Sequence, residues 1–166
     1  GGVSDFPGAI VHIHLPEYQH AINPTGPVYK KDRYRQEQWA KVSHWERYSI
    51  AGESWRGFDC IRELKGLPPE ILLLPLSGHT AGHSGILIEQ TSGWMLHAGD
   101  AYFDHREIET PASRPLGLKL FEELMDYDTI TRKHNQKRLG HLKRDHADVD
   151  IFCSHDPKEL QRHQKE

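Results

Sequence analysis

LSGHTAGHSGILIEQTSGWMLHAGDAYF, residues 76–103, is the stretch whose reading decides the fold. It sets two histidines four residues apart among small residues, then an apolar run, a Thr-Ser-Gly turn, a second apolar run, and Gly-Asp where that run stops. Short apolar runs bounded by turn residues are the pattern of buried strands. Working outward, ILLLPL at 71–76 predicts a strand, with Pro75 marking an edge or an end, and GILIEQ at 85–90 with WMLHA at 94–98 predicts a hairpin. AIVHIH at 9–14 and DVDIFCS at 148–154 predict further strands, and 52–64 one or two short ones. Pro16 opens a short helix in PEYQHAI, and Pro157 does the same for the last helix. Residues 29–45 have a loose helical period, 117–128 an apolar helical spacing, and 129–146 the character of a polar helix with a solvated basic face. Strands mixed with hairpins and helices predict an α/β fold, a sheet covered by helices, as one domain over 1–166.

Composition narrows the function classes. With 36% apolar and 27% charged residues the chain reads as a polar globular domain, and no apolar run reaches membrane-span length. No signal-peptide pattern opens it. A formal charge of −3 carries no basic footprint for nucleic acid. Cys60 and Cys153 form no CxxC pair, so a reducing, cytoplasmic setting is expected. Histidine, at 13, is in excess, and neutral imidazole is a common transition-metal ligand.

Three candidates share one design. His83 lies in T-A-G-H-S-G after one strand, Asp100 in H-A-G-D after another, and His155 in S-H-D-P after a third. If those strands are neighbours, the side chains converge on one rim, and two imidazoles with a carboxylate are a ligand set for a hydrolytic zinc site with an open water position. Gly82, Gly85 and Gly99 are expected to let the backbone turn at angles other residues resist. Taken singly, each candidate has a plainer reading. His83 could be a turn histidine bonded to backbone, Asp100 an Asx-turn or cap, and His155 part of a helix entry with Asp156 as N-cap. The aromatic residues Tyr34, Trp39, Trp45, Tyr48 and Trp55 read as core or helix packing rather than a pocket wall.

H-T-A-G-H-S-G, H-A-G-D-A and F-C-S-H-D-P, in that order, resemble the later metal motifs of the metallo-β-lactamase fold superfamily, which includes glyoxalase II and the N-acyl-homoserine-lactone lactonases. The resemblance covers essentially the whole chain. It implies an αββα sandwich of that type, here an incomplete, C-terminal portion, with a two-metal centre at one sheet edge. His83 resembles the histidine of the first metal, Asp100 the catalytic carboxylate bridging both, and His155 a histidine of the second. Zinc is the implied metal, two ions in the complete site, with iron or manganese as alternatives. His79 is expected to support the ligands rather than bind. Some lactonases place a tyrosine three past the aspartate. Phe103 stands there, and Tyr102 one residue early is the candidate for contacting substrate.

The family's leading HxHxDH signature is missing. His12 and His14 are followed by Leu15-Pro16-Glu17 and read as strand histidines, and the opening G-G-V-S-D-F-P-G resembles the segment just downstream of that signature. The chain is therefore expected to lack an N-terminal portion, to offer about two protein ligands per metal, and to be inactive or nearly so alone. The resemblance implies a metal-dependent hydrolase of a small ester, lactone or thioester, using a metal-activated water. The alternatives are an iron-dependent persulfide dioxygenase or a phosphodiesterase on the same fold, or a metal-less interaction domain. A small molecule is the expected partner, with no nucleic acid and no membrane.

Overall fold

The computed structural model describes residues 2–61, 64–110, 113 and 116–164. A parallel pair joins β1 (Ile10–His14) to β2 (His44–Tyr48), and a tight hairpin joins β3 (Ser54–Trp55) to β4 (Phe58–Asp59). The widest sheet among the described residues has four strands in the order β5 (Ile71–Pro75), β6 (Ser84–Gln90), β7 (Gly93–His97) and β8 (Val149–Phe152). β5–β6 and β6–β7 pair antiparallel, and β7–β8 pair parallel. β5, β7 and β8 consequently run in one direction. Their C-terminal ends and the start of β6 share a single rim, where the loops 76–83, 98–105 and 153–156 emerge.

Strand alternation sorts the side chains of this sheet onto two faces. Leu72, Leu74, Leu87, Leu96 and Ile151 point to one, where α3 (Arg106–Glu109) and α5 (Thr129–Asp145) cover them with Ile108, Leu139 and Leu142. Each fully buried leucine contributes roughly 1.5–3 kcal/mol. Leu73, Ile71 and Ile86 point the other way and meet Tyr48 of β2. α1 (Leu15–Ile22) lies against β1 and β2, so helix, sheet, strand pair and helix are stacked as the fold class predicts. Pro75 is both the last residue of β5 and on a strand at one end of the sheet order, where its missing N–H costs least.

Some elements differ from expectation. Residues 29–45 do not form a helix. They break into the single turn α2 (Val28–Lys31), a 3₁₀ turn at Gln36–Gln38 and the start of β2. Neither short helix buries a residue, so the loose period had no apolar face to hold it. The remaining helices are α4 (Leu116–Met125) and α6 (Pro157–His163), and Asp156 caps α6 by accepting from the Lys158 and Glu159 amides. Cys60 and Cys153 are buried and form no disulfide with each other. No helix among the described residues is long and apolar enough to cross a membrane.

α5 is the larger correction. Its face over the sheet continues past Leu142 and Leu139 into Gln136, Asn135 and Arg132, all buried. Arg132 is 0% exposed and is ringed by carboxylates that are themselves buried. Its Nη2 donates to Glu122 Oε2 at 2.7 Å, its Nε to Asp126 Oδ2 at 2.9 Å, and its Nη1 lies 3.8 Å from Glu107 Oε2. Burial, and then a hydrogen bond with Glu122, push the Glu107 carboxyl up to about 7 from an ordinary 4.5.

Two outcomes are expected of this cluster. Arg132→Met leaves buried carboxylates without their cation and is expected to lower unfolding free energy by about 3–5 kcal/mol in urea titrations; an unchanged midpoint would deny the cluster its structural role. The folded state also holds a proton on Glu107 more tightly than the unfolded chain does. That contribution is complete below pH 4.5 and is lost as pH rises through about 7. Measured between pH 5 and 8, wild type should lose stability relative to Glu107→Gln as pH rises, and parallel profiles would refute this.

Candidate metal centre

The loop after β5 turns back on itself at Gly78, whose φ of +132° suits glycine and whose missing Cβ leaves room for the Arg132 backbone nitrogen. The start of α5 then grips this loop. The Asp128 amide donates to Gly78 O at 2.9 Å, the Tyr127 amide to His79 O at 3.2 Å, and Asn135 Nδ2 to Ser77 O at 2.8 Å. The loop after β7 is held from the same side. Glu107 Oε1 accepts from the amides of Phe103 and Asp104 at 2.8 and 3.0 Å, and Gln136 Nε2 donates to Ala101 O at 3.1 Å. The two loops bring His79 and Asp100 together, and His155 arrives from the end of β8.

His83 does not occupy the role expected of it. Both of its ring nitrogens are taken by protein. Nδ1 lies 3.1 Å from Leu76 O, and the Asp100 amide donates to Nε2 at 2.9 Å. A carbonyl can only accept and an amide N–H can only donate, so the tautomer is fixed with the proton on Nδ1, and no lone pair is left for a metal. Burial lowers the pKa of this ring and keeps it neutral. Its work is to hold the Asp100 backbone. Gly99 makes that contact possible, since at φ +56° it would otherwise place a Cβ 2.7 Å from His83 Nε2. Of the three glycines expected to take unusual angles only Gly99 does; Gly82 and Gly85 lack side chains because neighbouring chain lies too close.

His79, expected only in support, faces the carboxylate instead. Its Nε2 is 3.5 Å from Asp100 Oδ2, while His155 Nε2 is 3.3 Å from Asp100 Oδ1. One imidazole flanks each oxygen. Burial, reinforced by the Arg33 charge, pushes the pKa of His79 down to about 3, so its ring is neutral. Arg33 Nη2, a pure donor, lies 3.4 Å from the same Nε2, which therefore presents a lone pair. A nitrogen lone pair and a carboxylate oxygen 3.5 Å apart repel unless a cation is close by, and here the Arg33 guanidinium is that cation. Among the described residues the one compact trio of possible donor atoms is Asp104, His105 and Asp156. There Asp156 accepts from the His105 amide and ring, and Asp104 is bound by Arg106, so internal contacts already account for it.

Tyr102 is also corrected. It is 0% exposed and its hydroxyl donates to Glu159 at 3.0 Å, inside the core rather than toward substrate. Phe103 is the neighbour that faces the site, edge-on to His79 and to His155 with ring centroids 5.6 and 4.8 Å away. A cavity of about 620 Å³ opens beside His79 and Asp100, and Tyr34, Trp39 and Trp45 line it, against the expectation that they pack as core. Trp55 is in the core, as expected, and Tyr48 lies beneath the sheet. His12 is bonded to Tyr48 Oη at 2.8 Å, and His14 is buried with its pKa lowered by that burial; both are strand residues on the cavity wall.

No protein-family model matches the chain. Two curated relatives, probable metallo-hydrolases of Mycobacterium bovis and Mycobacterium tuberculosis, are each 33% identical over 158 residues, covering 95% of this chain and 51% of theirs. An N-acyl homoserine lactone hydrolase, solved with N-hexanoyl-L-homoserine at its catalytic metal center, superposes with a TM-score of 0.64 at 19% identity, over 98% of this chain and 53% of that one. A hydrolase of the beta lactamase superfamily gives 0.61 at 16% identity, over 93% and 50%. The chain spans about half the length of the curated relatives it matches. With this sheet order, this rim and these structural neighbours, the chain has a fold of the metallo-β-lactamase type.

Proposed function

We propose that this chain contributes to a metal-dependent hydrolase acting on a small ester, thioester or lactone, with zinc as the metal. The observation that supports the reading is the placement of Asp100, with a neutral imidazole lone pair on one of its oxygens and a second imidazole on the other. In this reading His79 and Asp100 would hold one ion, and Asp100 and His155 would hold the other. Bound metal would supply a water deprotonated near neutral pH and would polarise the carbonyl under attack.

The rest falls to the chain itself. His83 and Gly99 fix the Asp100 backbone, so its carboxylate can meet both positions without reorganising. Phe103 shields the two imidazoles from water on one side, and the aromatic cavity beside them receives the body of the substrate. Phe103 carries no hydroxyl to steady a carbonyl oxygen, so that stabilisation would fall to bound metal. Each position has two protein donors among the described residues, one short of the usual catalytic zinc site. This chain alone is accordingly expected to bind zinc weakly and to turn over slowly.

The roles separate by substitution. His79→Ala and Asp100→Asn should each remove measurable zinc uptake at one or both positions in calorimetric titrations, and with it hydrolysis of acyl thioesters. His83→Ala keeps every donor and should weaken zinc binding by about 10–100-fold. Wild type and Asp100→Asn taking up zinc equally would sink the proposal.

A further inference from the structure

The cavity at the centre is lined by the carboxylates of Asp100 and Glu17 and by the imidazoles of His12, His14, His79 and His83. Arg33 is its only lysine or arginine among the described lining residues. This guanidinium is placed on His79 by two contacts. Nη1 donates to the His79 carbonyl at 2.7 Å, and Nη2 reaches to within 3.4 Å of Nε2. An arginine cannot accept, so the contact consumes the lone pair of Nε2. That lone pair is the one a metal would take, at about 2.0–2.1 Å from the nitrogen. A guanidinium hydrogen and a metal ion cannot share it.

We propose that Arg33 is a resident cation at the His79 position, whose head must leave Nε2 before metal can bind there. Metal uptake is therefore ordered, with the Asp100–His155 position filling first. That second position has no such competitor among the described residues, since His155 meets Asp100 Oδ1 and the edge of Phe103. Arg33 does not have to leave the site altogether, because Nη1 can keep the His79 carbonyl while Nη2 swings into the cavity. The inference rests on the metal reading above and concerns the order and affinity of loading, not the reaction.

Cobalt(II) is a suitable probe, titrated into metal-free protein and followed by calorimetry and visible absorption. Wild type should bind in two unequal steps. Arg33→Met keeps the length of the side chain and removes its charge. It should tighten the weaker step by about tenfold or more and leave the stronger step unchanged, with thermal unfolding showing that the variant folds. Equal affinities in wild type and variant overturn this inference alone, whereas no cobalt uptake by either overturns the metal reading and this inference with it. Should Arg33→Met fail to fold, the wild-type Arg33 Nε–H resonance decides, followed with diamagnetic zinc in place of paramagnetic cobalt. If it moves only with the weaker step the proposal stands, and if it stays fixed through both steps the proposal falls.

Discussion

Arg132 is a cation sealed from water, and the geometry of the rim depends on how it is neutralised. A buried guanidinium is tolerable only when its hydrogen bonds are met by charge-bearing acceptors. Those acceptors come from separate parts of the chain: Glu107 from α3, Glu122 from α4, and Asp126 from the turn into α5. Satisfying one charge therefore fixes the relative placement of three elements. Glu107 also binds the amides after Asp100, and the backbone of Arg132 packs on Gly78 just before His79. One electrostatic requirement locates both functional loops against the same helix. Burial first, and then the neighbouring Glu122 carboxylate, explain why Glu107 keeps its proton so readily.

The two histidines of H-T-A-G-H illustrate how similar residues divide labour according to what surrounds them. His83 lies where a carbonyl and an amide flank its ring, so both nitrogens are occupied and it becomes a fixed strut. His79 lies where α5 holds its carbonyl but no backbone group of the described residues reaches Nε2, so that nitrogen stays available to a cation. Sequence spacing is blind to this distinction, because the peptide groups that occupy a ring come from residues distant along the chain. The plainer sequence reading of His83, a turn histidine bonded to backbone, is the one the structure supports.

The strands, their hairpin and the rim were legible because period-two apolar runs and turn residues are local signals. Asp156 was legible as a cap for the same reason. β2 was not, since HWERY has a burial pattern with no fully buried residue and pairs in parallel with a strand more than thirty residues away. Arg132 was hidden by its chemistry. A basic residue on a basic helix reads as solvated, although its position seven before Leu139 put it on the buried face. Tyr102 was misplaced for a similar reason, because only the fold reveals Glu159 beneath it.

Charge on the cavity wall bears on what it can hold. Burial keeps His14, His79 and His83 neutral, and Glu17, which stays at the wall by accepting the Gly82 amide at 2.8 Å, adds a carboxylate. Neutral imidazoles and carboxylates facing one space make an environment that draws cations and resists anions. An ester or thioester is itself uncharged, but the carboxylate it yields on hydrolysis is not. A wall of this kind would hold such a product poorly unless positive charge accompanied it, whether metal at Asp100 or the guanidinium of Arg33. On the hydrolase reading proposed above, the groups that recruit a cation would also weaken the hold on an anionic product.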